Sequence, residues 1–285
     1  MKKTTAAMLL AAPLAMACAA ARAGEASDAY VRAARAAYKD DPMCRTTIVH
    51  KFIKGTMNDD KTPGEIPWFD VEGIRNVRDI GWTGLRMGRV YRGTEMELVV
   101  EKDGNSHGYD LTDAGRRTMT GKMGVKCDFD IRAPRKPSKG ETAKSPIGDG
   151  VRYVNVPLGP YADIYTYRGQ KAYAAALREF TKDETYPAYI HCAGGADRTG
   201  TLCFLLETLC GVPQEVAEMD YELTSFSPVG TRTRNREAAL PFALMVRTMT
   251  TFPGDTFADK VAYWAENVAG LSKDEIAAIR ARLKK

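Results

Sequence analysis

Beyond residue 70 the chain alternates short apolar runs with longer stretches of helical period. In VKCDFDIR, Val125, Cys127, Phe129 and Ile131 alternate with polar neighbours, which predicts a strand. VRYVNVPL reads as a second strand. YPAYIH is a mostly apolar run expected of a buried central strand. GIRNVRDIGW and GRVYRGTEM read as short extended pieces broken by glycines. LTDAGRRTMTGKMG reads as a helix opened by Thr112 and closed by Gly124, and RGQKAYAAALREFTK as another. From Arg198 the pattern is helical almost to Lys285, with interruptions near Pro228 and Pro253. Upstream, DAYVRAARAAYKD predicts a helix and TTIVHKFIK a strand. Strands alternating with helices and followed by a helical tail imply an α/β fold, a central sheet flanked by helices with additional C-terminal helices.

The first 23 residues change how the rest is counted. Lys2 and Lys3 precede an apolar run, and Ala21-Arg22-Ala23 offers a cleavage site before Gly24, the layout of an export signal. A lipid anchor through Cys18 fits less well, because Ala15 and Met16 match that pattern poorly. Removing Lys2, Lys3 and Arg22 lowers the formal charge from +5 to +2, so nothing in the remainder argues for nucleic acid. No later run is apolar enough to span a bilayer, and the exported product is expected to be soluble. The organisation expected is a signal peptide over 1–23, an extension over 24–73 and a catalytic domain over 74–285, with its C-terminal helical part at 229–285.

Cys44, Cys127, Cys192, Cys203 and Cys210 remain, an odd number that leaves at least one thiol unpaired. Cys44 and Cys127 are a candidate disulfide. Cys203 and Cys210 fall seven apart on one helix face, roughly 10 Å from each other and too far for a bridge. Their plain reading is buried apolar packing. His50, His107 and His191 have no ligand spacing, so neither a metal nor another cofactor is expected.

The chemistry lies in AYIHCAGGADRTGTLCF. With AYIH on a strand and the residues from Arg198 on a helix, residues 192–198 form a tight loop feeding a helix N-terminus. Gly194 and Gly195 let the backbone turn so that the amides of Ala193, Gly194, Gly195, Ala196, Asp197 and Arg198 point inward as an anion cradle. The planar fork of Arg198 can close that cradle on two phosphate oxygens. A free thiol titrates near ~8.5 and falls to roughly 3.5–7.5 at such positions, so Cys192 is a candidate nucleophile aimed at the bound oxyanion. Thr199 can donate to its sulfur, and His191 can order the loop from behind.

HCAGGADRTG resembles the His-Cys-x5-Arg-Thr-Gly signature of the protein tyrosine phosphatase superfamily. The resemblance extends to NVRDIG (Asn76 to Gly81), RVYRGTEM (Arg89 to Met96), DFDIR (Asp128 to Arg132) and DYELTSFS (Asp220 to Ser227). These are similar to the bacterial tyrosine and dual-specificity branch. The resemblance implies metal-free hydrolysis of phosphate esters through a cysteinyl-phosphate. Trp82 stands where relatives often carry a second glycine, and Ala196 where some phosphoinositide-hydrolysing relatives carry lysine.

The same resemblance implies a general acid on a separate loop before the cysteine. Asp163, in LGPYADIYTY, is the first candidate. Asp197 is second, its alternative role being to bond loop amides. Asp128 and Asp130 come third, Asp130 being expected to pair with Arg132 or Arg78. Arg132, Arg135, Lys136, Lys139 and Lys144, with Arg232, Arg234 and Arg236, could favour polyphosphorylated substrates or be ordinary surface charge. Tyr161, Tyr165 and Tyr167 either line the pocket or pack the acid loop. The partner expected is a phosphorylated substrate, a phosphoprotein or an inositol phosphate. The alternatives are an inositol polyphosphate phosphatase, a silent phosphate-binding module and, weakest, a thiol-redox protein.

Overall fold

The computed structural model describes residues 69–100, 106–134, 143–227, 229–230, 232 and 241–285. The expected signal segment, the helix and strand upstream of residue 69, and Cys44 lie outside the described residues. In chain order the elements are β1 (Arg78–Asp79), β2 (Val90–Gly93), a ribbon of β3 (Val99–Val100) and β4 (Ser106–His107), α1 (Asp113–Arg117), β5 (Cys127–Asp130) and β6 (Arg152–Asn155). They continue with a single helical turn (Tyr161–Tyr165), α2 (Tyr167–Glu179), β7 (Ala188–His191), α3 (Asp197–Leu209), α4 (Gln214–Leu223), α5 (Pro241–Met249), α6 (Phe257–Tyr263) and α7 (Lys273–Leu283).

The main sheet runs β1-β2-β7-β5-β6, antiparallel only between β1 and β2. β7 lies at its centre, as its apolar run requires, with all four residues buried. β5 departs from a simple half-buried alternation. Cys127, Phe129 and Ile131 enter the main core, but Asp128 and Asp130 between them are also fully buried. A parallel strand covered on both faces has no solvent side for its polar residues, so these two carboxylates must find partners inside.

A large core joins one sheet face to the helices, and a smaller one, containing Val71, Ile74, Val77, Tyr91, Met119 and Tyr189, covers the other. Phe69 meets Tyr91 edge to face at 5.2 Å, and Val71 is buried, so the packed unit already includes residues 69–73. Thr112 caps α1 by accepting from the Gly115 amide, and Gly124 has φ +63°, as the start and stop signals predict. α3 is buried at every position from Thr199 to Leu209, which explains its lack of a polar face. The tail helices complete this covering: Phe242 of α5 stacks on Tyr221 at 3.8 Å, and Arg178 of α2 pairs with Glu275 of α7 at 2.8 Å.

Behind α3 sits a buried ionic lattice. Arg78 Nε meets Asp220 Oδ1 at 2.8 Å, and Arg78 Nη2 donates to the Asp220 carbonyl at 2.6 Å. Arg92 Nη1 pairs with Asp220 Oδ2, and Trp82 Nε1 donates to Oδ1 at 3.0 Å. Trp82, the departure from the usual glycine, therefore contributes a donor to the lattice. Burial opposes charge on Asp220, but Arg78 and Arg92 outweigh it and hold the carboxyl at about 2. Such a depressed acid stabilises the fold above its ordinary value near 3.8, and that stability is lost as pH falls toward 2. Asp220→Asn takes the carboxylate away from two buried guanidiniums, so urea unfolding at neutral pH should show a loss of about 3–5 kcal/mol. The difference from the parent should narrow as the pH is lowered; a variant as stable as the parent at pH 7 contradicts this account.

Candidate active site

β7 delivers the cysteine loop to the carboxyl edge of the sheet. His191, its last residue, is level with Gly93 of β2 and Asp130 of β5. This edge, where parallel strands end, is the usual ligand position of open α/β sheets. Gly195 has φ +61°, and a Cβ there would lie 2.1 Å from the Gly93 carbonyl oxygen. Only glycine lets the loop approach β2 that closely.

The loop's carbonyls are drawn outward. Ala193 O accepts from the Glu95 amide at 3.0 Å. Asn76 Nδ2 donates to Gly194 O and Gly195 O, both at 3.2 Å. Arg92 Nη2 reaches Gly195 O at 2.8 Å, and the Gly200 amide reaches Ala196 O at 2.8 Å. Because each peptide is planar, a carbonyl turned out leaves the next amide turned in. The amides of the first helical turn have no intrahelical partner. Asn76 is held at φ +60°, its own Oδ1 accepting from Arg78 Nη1 at 2.6 Å. The cradle is thus tied by side chains to the lattice behind it.

Cys192 is buried with a free thiol, and Arg198 is half-buried with no ion pair among the described residues. The Tyr173 hydroxyl donates to the Gly159 carbonyl at 2.7 Å, just before the turn that carries Asp163. The Thr199 hydroxyl is buried and unpartnered, so the expected bond to the sulfur is not made here. His191 ends β7 and is tied to β5: its Nε2 meets Asp128 Oδ1 at 2.8 Å, and its carbonyl accepts from the Ile131 amide at 3.0 Å.

The four candidate carboxylates have different surroundings. Asp130 is gripped by Arg132 through Nε at 2.9 Å and Nη2 at 2.7 Å, and Tyr153 donates to it at 3.0 Å. Burial raises Asp130, but Arg132 and His191 outweigh it and lower the carboxyl. Arg78, the other partner considered, goes to Asp220 instead. Asp128 is taken by His191. Asp197 does not bond loop amides as its alternative role supposed. It takes a bidentate pair from Arg232, Nε to Oδ1 at 2.6 Å and Nη2 to Oδ2 at 2.8 Å, with the Tyr161 hydroxyl donating to Oδ1. Burial acts to raise it, yet Arg232 and Tyr161 hold it below the usual carboxylate range. Asp163 is partly exposed and, among the described residues, meets only neutral donors, the Gly159 amide and the Thr166 hydroxyl, each at 3.2 Å.

Among the tyrosines, Tyr165 packs: its hydroxyl donates to Met245 O at 2.6 Å and its ring stacks on Phe252. Tyr167 is exposed under Lys171. Of the basic residues, Arg132 also binds Glu95, at 2.9 Å, and Lys144 pairs with Asp149 at 3.1 Å. Arg135, Lys136, Lys139, Arg234 and Arg236 lie outside the described residues. Cys127, Cys203 and Cys210 are buried free thiols. Asn76, Arg92 and Asp220 were not recognised as site residues from sequence; the only signal was that each falls in a stretch carrying the family resemblance.

No match was found among curated proteins. Among solved structures, the core catalytic domain of a PP-IP phosphatase from S. cerevisiae, in complex with citrate, aligns at 14% identity with a TM-score of 0.39. The alignment covers 65% of this chain and 93% of that one. The sequence model of the tyrosine phosphatase family matches residues 69–285, the whole of the cradle, the lattice and the helices behind them. The chain belongs to the tyrosine phosphatase family.

Proposed function

We propose that this protein is a cysteine-dependent phosphatase that hydrolyses phosphate monoesters, of the phosphotyrosine or dual-specificity kind, through a cysteinyl-phosphate. The observation that supports it best is a buried free thiol and a half-buried Arg198, without a carboxylate partner among the described residues, at the two ends of one loop whose carbonyls are tied outward. An unbalanced cation and inward amides suit a tetrahedral dianion.

In the first step the Cys192 thiolate attacks phosphorus, the bond to the leaving oxygen breaks, and that oxygen takes a proton from Asp163. In the second, water attacks phosphorus, the sulfur–phosphorus bond breaks, and the Asp163 carboxylate takes the proton from water. Phosphate leaves and the thiolate is restored. Asp163 is assigned the acid because Asp130 and Asp197 are held by arginines and Asp128 by His191, whereas Asp163 meets only neutral donors among the described residues. Described basic residues that would greet further phosphates are already paired, Arg132 with Asp130, Lys144 with Asp149 and Arg232 with Asp197. This favours a simple monoester over an inositol polyphosphate. Export with removal of residues 1–23 belongs to the same proposal and rests on the layout of that segment.

Phosphate release should be measured across an aryl phosphate, phosphotyrosine and phosphoserine peptides, a phosphoinositide and inositol hexakisphosphate. Activity should be greatest on the simple monoesters and vanish in Cys192→Ser; activity surviving in that variant would remove the mechanism. Asp163→Asn should slow an alkyl phosphate by roughly 100-fold or more while sparing an aryl phosphate with an acidic phenol, whose leaving oxygen needs no proton. Equal slowing of both would make Asp163 structural. Sequencing the N-terminus of the protein expressed in a bacterial host should start at Gly24 in the exported fraction; a chain retaining Met1 in the cytosol would refute export.

A further inference from the structure

Tyr161 has a left-handed backbone at φ +56°, a conformation that residues with a side chain seldom adopt. Several contacts hold it there. Its amide donates to Thr201 Oγ1 at 3.0 Å, one turn into α3. Its hydroxyl donates to Asp197 and shares a bond with the Tyr221 hydroxyl at 2.8 Å. Its ring stands edge-on to Tyr221 at 6.2 Å and to Phe242 at 6.3 Å. Asp197 is immobilised in turn by the bidentate Arg232, whose own amide donates to Ser225 Oγ at 2.7 Å. Tyr161 opens the same single helical turn that carries Asp163 two residues later. The phenol therefore connects the acid-bearing turn to the first residue of the helix that closes the cradle.

We propose that Tyr161 is a positioning residue whose hydroxyl, bonded to Asp197, latches the Asp163 turn onto the phosphate cradle. Asp197 is the fixed anchor of that latch and not a proton donor. The proposal rests on the phosphatase reading, with Asp163 as the acid. Burial, together with Tyr221 and Asp197, keeps the Tyr161 phenol protonated, so it remains a donor throughout the working pH range. Arg232 keeps Asp197 an acceptor over the same range. Strain at Tyr161 is the kind that persists only where surrounding contacts over-determine it. Here those contacts converge on the cradle.

The test uses Tyr161→Phe, which keeps the ring and removes one oxygen, with two substrates: an alkyl phosphate and an aryl phosphate with an acidic phenol. A misplaced acid should lower kcat on the alkyl ester about tenfold or more, leave the acidic aryl ester within about twofold, and change neither KM. Combined with Asp163→Asn, the substitution should add nothing further, because both act through one proton transfer. Equal slowing of the two esters, or slowing that multiplies in the double variant, overturns the latch. Should Tyr161→Phe fail to fold, Asp197→Ala cuts the same bond from the other side and is judged by the same alkyl-to-aryl ratio. If Asp163→Asn itself shows no dependence on the leaving group, the acid assignment fails and the latch with it. If Asp163→Asn does and Tyr161→Phe does not, only the latch fails.

Discussion

Asp220 sits between two buried guanidiniums, and the loop that begins at Cys192 depends on that arrangement. Arg78 orients Asn76, Arg92 reaches the Gly195 carbonyl, and both are fixed by the same carboxylate. Asn76 and Arg92 then turn successive loop carbonyls outward. The amides facing inward are a consequence of what binds the other side of each peptide. A loop of small residues has no side chains to stiffen it, so its shape is imposed from behind by charged groups that have no freedom to relax. Preorganisation of this kind is where such sites gain most, since no dipole must turn when the anion arrives.

The same environment sorts the acidic residues near the cysteine by the company they keep. Asp220 is structural, with its carboxyl at about 2. Asp128 supports His191, Asp130 holds Arg132, and Asp197 accepts from Arg232 and Tyr161. A carboxylate fixed by a cation is a poor proton donor near neutral pH, because the cation stabilises the charged form. What separates Asp163 is that, among the described residues, no cation bonds it and two neutral donors hold it, each at 3.2 Å.

Elements whose signal is local were legible in the sequence. β5, β6, β7, α2 and α3 follow from periodicity and punctuation, and the cradle from a contiguous run of residues whose types suit one chemistry. β1 and β2 were readable only as short extended pieces, since glycines interrupt the runs that carry them. The buttress was not legible for a different reason. Arg78 and Asp220 lie 142 positions apart, and Arg92 and Asp220 128 apart, so no spacing rule connects them. Buried polar residues on β5 gave a further ambiguity. Asp128 and Asp130 look like the solvent side of an alternating strand, and only the sheet's second covering layer shows that they face inward.

Burial also sets the protonation preference of the other groups beside the lattice. Glu207 is buried in α3 with both carboxyl oxygens unpartnered among the described residues. Burial and the nearby Asp220 push its carboxyl well above its usual range. Burial likewise raises the Cys203 thiol beside the lattice and keeps it protonated. It pushes Cys127 and Cys210 up to about 12. Three described cysteines are thereby held as inert thiols, which argues against redox exchange among them. Cys192 differs in place: among the described cysteines it alone begins the loop whose carbonyls are tied outward to Asn76, Arg92 and the Glu95 amide.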